Sequence, residues 1–296
     1  MSKKKANKCG SVVFMGEPNV GKSSLLNALV GEQVSIVAGM AGTTRESVRG
    51  YLSGDGWQIV FLDTPGMDKK TVRDGLQKLM SKNISGAVTE SDVICYVLDA
   101  LDIQDEYIQK IRNLKDKKPL IVVVNKIDRT NFEKLYPNLQ KLNELGLVVV
   151  PCSSKTGKNM DVLIQDIVKH LPEGSAEFNE EEFTDQSVRK ICAEIIRGAL
   201  IEYLRQEVPH GVAVKIVVFN EKPKEIEIDA EIICAKPSHK PIIIGKGGAM
   251  LKKVGISARK KIEELTGKHI RLSTHVLVRE NWRDSKEVKK YLNSES

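Results

Sequence analysis

Gly16-Glu17-Pro18-Asn19-Val20-Gly21-Lys22-Ser23 fits the pattern G-x-x-x-x-G-K-[ST], and it stands between an apolar strand-like run at residues 11–15 and a helical pattern that begins near Lys22 and Ser24. That setting gives the spacing a mechanism. Glycines let backbone amides turn inward around phosphates, Lys22 brings a point charge to the β and γ phosphates, and Ser23 offers a hydroxyl to a magnesium ion. The helix adds the positive end of its dipole.

Working outward, strand-like runs at 11–15, 57–62, 92–98, 120–124 and 147–150 alternate with helical patterns. This argues for crossover units that build a mostly parallel sheet, with an antiparallel partner at 48–53. The expected divisions are a basic N-terminal extension at 1–10, an α/β P-loop domain at 11–172, an acidic linker at 173–186, a second domain at 187–283 and a tail at 284–296. In the second domain a long helical pattern at 187–207 precedes two alternating stretches. In the latter of these, Ile226, Ile228, Ala230, Ile232 and Cys234 share one face while Glu225, Glu227, Asp229 and Glu231 share the other. An apolar strip at 241–244, a glycine cluster at 245–248, a helical pattern at 251–265 and a last strand at 270–279 complete an α+β order.

Three more segments of the first domain carry chemistry. Asp63-Thr64-Pro65-Gly66 ends a strand, which puts a carboxylate at the carboxyl edge of the sheet where magnesium would sit, with the Gly66 amide placed to sense a γ phosphate. A strand-ending Asp also serves simply as a turn former. Asn125-Lys126-Ile127-Asp128 closes the next long apolar strand. Asp128 would accept from the ring N1 hydrogen and the 2-amino group of guanine together, adenine would leave it unpaired, and the pocket is therefore expected to select guanine. Lys126 would lay its stem along the base, and Asn125 would tie this loop to the phosphate loop. Cys152-Ser153-Ser154-Lys155 supplies a further base-contacting loop.

The net charge of +7 is unevenly spread, for residues 236–290 hold 15 basic and 5 acidic side chains. Within that block lies Ile243-Ile244-Gly245-Lys246-Gly247-Gly248, followed by Leu251, Lys252 and Lys253. A basic, glycine-containing block reads as an anion or nucleic-acid surface or as an ordinary solvated face. The composition, 41% apolar and 29% charged, excludes a disordered or fibrous chain, and no apolar run is long enough to span a membrane. Five cysteines without a C-x-x-C pair suggest neither a disulfide framework nor a zinc site. Residues 1–10 lack the apolar core of a signal peptide, so a cytoplasmic location is expected.

The four motifs in this order resemble the translation-factor-like GTPases, and Gly42-Thr43-Thr44-Arg45 is similar to the switch I signature of their Era and tRNA-modification branch. The resemblance implies GTP and GDP as ligands and a magnesium ion held by Ser23, Asp63 and one threonine. Thr44 is favoured over Thr43 by resemblance, although either hydroxyl is chemically suitable. Met67 stands where related enzymes place a water-orienting glutamine. The chain here resembles enzymes in which an asparagine at the position of Asn19 helps hold a potassium ion, which implies slow, potassium-aided hydrolysis with Lys22, Thr44, Gly66 and Asn19 in the catalytic roles. From the local sequence Asn19 is equally a turn residue after Pro18.

The glycine cluster resembles the G-x-x-G loop of a type II KH domain. That likeness implies RNA binding by Gly245, Lys246, Gly247 and Gly248, with Lys252 and Lys253 beside them and an apolar groove from Ile244 and Leu251 for unpaired bases. The two halves together resemble the Era family of ribosome-assembly GTPases. Stretches such as 193–197, 207–214 and 281–283 support the likeness, and they also read as scaffold packing. The family implies 16S ribosomal RNA near its 3′ end and the 30S subunit as partners; a monomeric chain is expected, and the basic C-terminal face leaves a peripheral association with the inner membrane as an alternative. A tRNA-modification GTPase would carry a long domain before its phosphate loop, whereas 15 residues precede Gly16. An RNA-binding scaffold with a dead nucleotide site is argued against by Lys22, Ser23, Asp63 and Asp128.

Overall fold

The period-two alternation of the first strands assigns their side chains to two different cores. The computed structural model describes residues 8–32, 34–35, 48–65, 75–204 and 208–283, the side chains of 75–79 excepted. In β1 (Lys8–Met15), Val12 and Phe14 enter one core and Val13 the other. β4 (Val93–Asp99) and β5 (Leu120–Asn125) divide in the same way. Both strands are buried on both faces, which is why they read as continuous apolar runs.

With β2 (Val48–Gly54), β3 (Trp57–Asp63) and β6 (Val148–Pro151) they form a six-stranded sheet in the order β2-β3-β1-β4-β5-β6. Every pairing in it is parallel except β2 with β3. The helices α1 (Lys22–Val30) and α5 (Met160–His170) cover one face, and α2 (Gly75–Glu90), α3 (Asp105–Arg112) and α4 (Phe132–Asn143) the other. Phe14 stacks on Phe61 with ring centroids 5.5 Å apart, an arrangement worth about 0.5–1.5 kcal/mol beyond its burial. The chain leaves β1 for α1 on one face of the sheet and leaves its neighbours β3 and β4 for helices on the other, so the carboxyl ends of these strands open a crevice at the switch point.

Two sequence expectations are corrected here. Lys8, Cys9 and Gly10 are not part of an extension, since they pair with Trp57, Gln58 and Ile59 and so lengthen β1. The acidic stretch after Pro172 is not a free linker. Tyr51 of the edge strand donates its amide to the Phe183 carbonyl at 2.9 Å and its ring stacks on Phe178 at 4.4 Å, while Gln58 bonds the backbone of Glu177 and Phe178. An edge strand exposes unpaired backbone groups, and this segment supplies the partners. The boundary between the two structural units accordingly falls between Asp185 and Gln186.

The second unit begins with α6 (Val188–Tyr203), capped by the Ser187 side chain. This helix is shorter than the 187–207 pattern, whose residues 205–207 lie outside the described residues. β7 (Val212–Glu221), β8 (Glu225–Cys234) and β9 (His269–Val278) form a sheet in that order. β8 is antiparallel to β7 but parallel to β9, so it is a central strand rather than one arm of a ribbon. Its apolar face meets α6 and α8 (Ala249–Thr266), while Arg271 and His275 of β9 reach Glu225 and Asp229 on the acidic face. Two of the family-like stretches are scaffold. Arg197, 2% exposed, forks onto Glu194 at 2.7 and 2.9 Å, and buried Trp282 donates to the Gly211 carbonyl at 3.1 Å.

Candidate nucleotide-binding site and glycine-loop surface

The loop between β1 and α1 needs its glycines for close approach. A Cβ at Gly16 (φ 140°) would lie 2.3 Å from the Val97 carbonyl oxygen, and one at Gly21 (φ 102°) would lie 2.2 Å from Asn125 Nδ2. Either contact would push the loop off its neighbours. Asn19 takes the left-handed conformation at φ 64° and is exposed. Glu17 points away to an ion pair with Lys110 at 2.6 Å.

Lys22 is buried, and its ammonium folds back to donate to the carbonyl oxygens of Gly16 and Glu17, each at 2.9 Å. Burial lowers its pKa to about 8, with the carboxylates of Asp63 and Glu17 acting in the opposite direction. A charge held in a low-dielectric loop by carbonyl dipoles is poised for transfer to a better anion.

Asp63 is fully buried at the end of β3, and its Oδ2 accepts from Ser23 Oγ at 2.6 Å and from Ser35 Oγ at 2.8 Å. Ser23 and Asp63 offer hard oxygen donors side by side, which fits magnesium better than a softer metal. Among the described residues no cluster of three His, Cys, Asp or Glu forms a closed metal cage. Thr64 is 2% exposed and donates its hydroxyl to the Phe14 carbonyl at 2.8 Å, so that side chain ties two strands together. Pro65 is buried beside it, whereas Thr43, Thr44, Gly66 and Met67 lie outside the described residues.

Asn125 performs the tie expected of it. Its Nδ2 donates to the Val20 carbonyl of the phosphate loop at 3.1 Å, and its Oδ1 accepts from the Ser154 amide at 3.0 Å. Lys126, left-handed at φ 65°, donates to the Asn19 carbonyl and pairs with Asp99 Oδ2 at 2.7 Å. The exposed Asp128 carboxylate accepts at Oδ1 from the buried Ser153 hydroxyl at 2.6 Å, and Lys155 is exposed nearby in the chain. The sequence missed Asp99 and Ser35. Asp99 ends a strand, a signal shared with many turn formers, and Ser35 carries no local signal.

In the second unit α7 (His239–Ile244) ends at Gly245 (φ 74°), where a Cβ would lie 2.8 Å from the Met250 backbone nitrogen. Gly247 and Gly248 also have positive φ, of 59° and 78°, and Gly248 opens α8. Lys246, Lys252 and Lys253 are exposed. A groove of about 500 Å³ runs from Gly248 between α8 and β9, lined by Leu251, Lys252, Ile256, Arg259 and Arg271 among others. Leu251 lines this groove and Ile244, half-buried at the end of α7, does not, although both pack in part against the core of the unit. Ile256, Arg259 and Arg271 were missed, since only pairing α8 with β9 puts them on one surface.

A phosphate loop at a switch point, an acid beside it and the Asn125–Asp128 loop tied to the phosphate loop define a P-loop GTPase fold, here followed by a KH fold. The family described as a 50S ribosome-binding GTPase matches residues 11–126, and the KH domain family matches 207–283. The GTPase Era of Clostridium acetobutylicum is 42% identical over 282 residues, spanning 94% of this chain and 95% of that one. That of Alkaliphilus metalliredigens is 41% identical over 296 residues, spanning 97% and 99%. Among solved structures, Era in complex with MgGDPNP and nucleotides 1506–1542 of 16S ribosomal RNA superposes with a TM-score of 0.90 at 38% identity, over 97% of this chain and 99% of that one. An Aquifex aeolicus Era variant bound to GDP and AlF4− matches equally well, with the same TM-score of 0.90. The chain belongs to the Era family of GTPases.

Proposed function

We propose that this chain is a GTP-binding and GTP-hydrolysing switch protein that binds 16S ribosomal RNA near its 3′ end and assists assembly of the 30S subunit. The observation that carries the nucleotide half is the Ser153–Asp128 hydrogen bond of 2.6 Å. An exposed carboxylate fixed by a buried hydroxyl is a preorganised acceptor for the two donors of guanine, and adenine offers no match. The RNA half is supported by the likeness to Era crystallised with a 16S ribosomal RNA fragment. The basic groove beside the three positive-φ glycines fits a single strand, whose phosphates meet lysines while bases enter an apolar cleft.

In this reading Lys22 leaves the Gly16 and Glu17 carbonyls for the β and γ phosphates, and the backbone N–H groups of Glu17 and of residues 19–23 close around them. Magnesium, when bound, neutralises charge that develops on the phosphates. Ser23 and Asp63 would hold it, with Thr44 as the third protein donor. Asn125 and Lys126 keep base loop and phosphate loop in one geometry, so affinity for the base also positions the phosphates. Met67 cannot orient water; Asn19 would help hold a potassium ion that supplies positive charge in place of an arginine finger, so hydrolysis is expected to be slow and potassium-stimulated. The chain works as a monomer in the cytoplasm, and no described helix is long and apolar enough to cross a membrane.

Competition between GTP and ATP for the purified chain tests the reading directly. GTP should win by orders of magnitude, and Asp128→Asn should shift preference to xanthosine triphosphate. Equal competition by the two nucleotides would refute it. Crosslinking in cells should recover the 3′ end of 16S ribosomal RNA.

A further inference from the structure

Ser35 sits just beyond α1, and nothing in its local sequence marks it. It is 5% exposed, and one side chain holds both its amide and its carbonyl. Asn27 of α1 accepts from the amides of Val34 and Ser35 at 3.1 and 2.9 Å, and donates to the Ser35 carbonyl at 2.8 Å. The hydroxyl so held donates to Asp63 Oδ2 at 2.8 Å, the same oxygen that Ser23 reaches at 2.6 Å. A serine could satisfy its hydroxyl locally on a neighbouring carbonyl. This one is instead aimed at a fully buried carboxylate 28 residues away in the chain.

We infer that Ser35 is a positioning residue for the magnesium site, which fixes the Asp63 carboxylate so that it meets the ion in one orientation. The inference rests on the GTPase reading. Carboxylates that serve a metal are themselves oriented by hydrogen-bond donors behind them, and loss of such a donor typically lowers metal affinity about 10- to 100-fold. Two donors on one oxygen hold Asp63 against rotation. Ser23 belongs both to this pair and to the metal's own shell, whereas Ser35 belongs only to the pair. Asn27 makes the arrangement stiff, because it fixes the Ser35 backbone and leaves only χ1 and the hydroxyl rotor to be set.

The test uses the full-length chain loaded with a fluorescent GDP, with release followed as free magnesium is varied. Ser35→Ala should need about tenfold more magnesium for half-maximal retention of nucleotide, while release in EDTA stays as in the parent. Ser35→Thr, which keeps a hydroxyl, should restore much of the magnesium response. If Ser35→Ala does not fold, Ser35→Cys carries the same comparison at nearly equal volume with a weak donor. An unchanged magnesium midpoint in the variant lacking the hydroxyl would overturn the inference. So would equal shifts in the Ala and Thr variants, which would assign the effect to packing. Guanine selectivity measured in EDTA reports on the GTPase reading alone, so its failure is distinguishable from failure of the role of Ser35.

Discussion

The ammonium of Lys126 lies 2.7 Å from Asp99 Oδ2 and also donates to the carbonyl of Asn19. The Leu101 amide holds the other Asp99 oxygen at 3.0 Å. One lysine, left-handed at φ 65°, thereby joins the end of β4 to the phosphate loop. In the proposed nucleotide complex its apolar stem would lie along the face of the purine.

Asp99→Ala should therefore weaken guanine nucleotide binding, by about tenfold, or about 1.4 kcal/mol, chiefly through faster release. Guanine-over-xanthine preference should hold, since Asp128 is untouched. In a Lys126→Ala background the same change should have little further effect on affinity. Additive losses in that double-mutant cycle would show that Asp99 acts on folding in general and not through Lys126.

Proton uptake should accompany nucleotide binding above neutral pH. Burial, opposed by Asp63 and Glu17, lowers Lys22 from 10.5 to about 8. The folded chain without nucleotide then binds fewer protons than the unfolded chain between about pH 8 and 10.5, so this group's contribution to stability rises with pH across that window. Phosphate beside the amine favours the charged form. Nucleotide affinity should fall as pH rises above about 8, by at most about tenfold per unit. Calorimetry near pH 9 in two buffers of different ionisation enthalpy measures the uptake, and buffer-independent heats would contradict the assignment.

Exchange of potassium for sodium should lower the hydrolysis rate of the loaded chain. Asn19, exposed on the phosphate loop, is the residue through which the difference should act, so Asn19→Ala should remove it. Equal rates in the two salts for the parent chain would reject the potassium role.

Acid placed at the glycine loop should weaken RNA binding by repelling phosphate. Lys246→Asp changes an exposed side chain, so nucleotide affinity measured without RNA should not move. Each single-strand phosphate that the protein neutralises should add about −0.7 to the slope of log affinity against log salt, so the variant should show a shallower slope than the parent. Gly245→Ala tests shape instead. Its Cβ would lie 2.8 Å from a backbone nitrogen that cannot swing aside, so this variant should melt earlier, unlike Lys246→Asp.

The phosphate loop, the base-recognition motif and the glycine loop were legible in the sequence because each is short and contiguous. In each, a glycine or a polar group at fixed spacing does a job that few other residues can do. The two-sided sheet was legible too, because β4 and β5 must be apolar throughout. The termini of these elements were less so. Lys8–Gly10 look polar and joined β1 only because β3 offered partners, and residues 173–185 look like a solvated linker until the bare edge of β2 is seen.

What the tertiary structure alone decided is which distant side chains meet. Asp99 with Lys126, Ser35 with Asp63 and Ser153 with Asp128 are separated by 27, 28 and 25 positions. No periodicity links such pairs, since hydrophobic spacing specifies which face of an element is buried but not which strand end lies beside which. That is set when the sheet takes the order β2-β3-β1-β4-β5-β6 and brings the carboxyl ends of β1, β3, β4, β5 and β6 to one edge. The groove of the second unit has the same origin. Ile256 and Arg259 belong to α8 and Arg271 to β9, and packing the helix across the sheet turns separate surface residues into one basic, apolar-floored cleft. Sequence thus determined the chemistry available at each strand end, and the packing of strands and helices determined which of those groups act together.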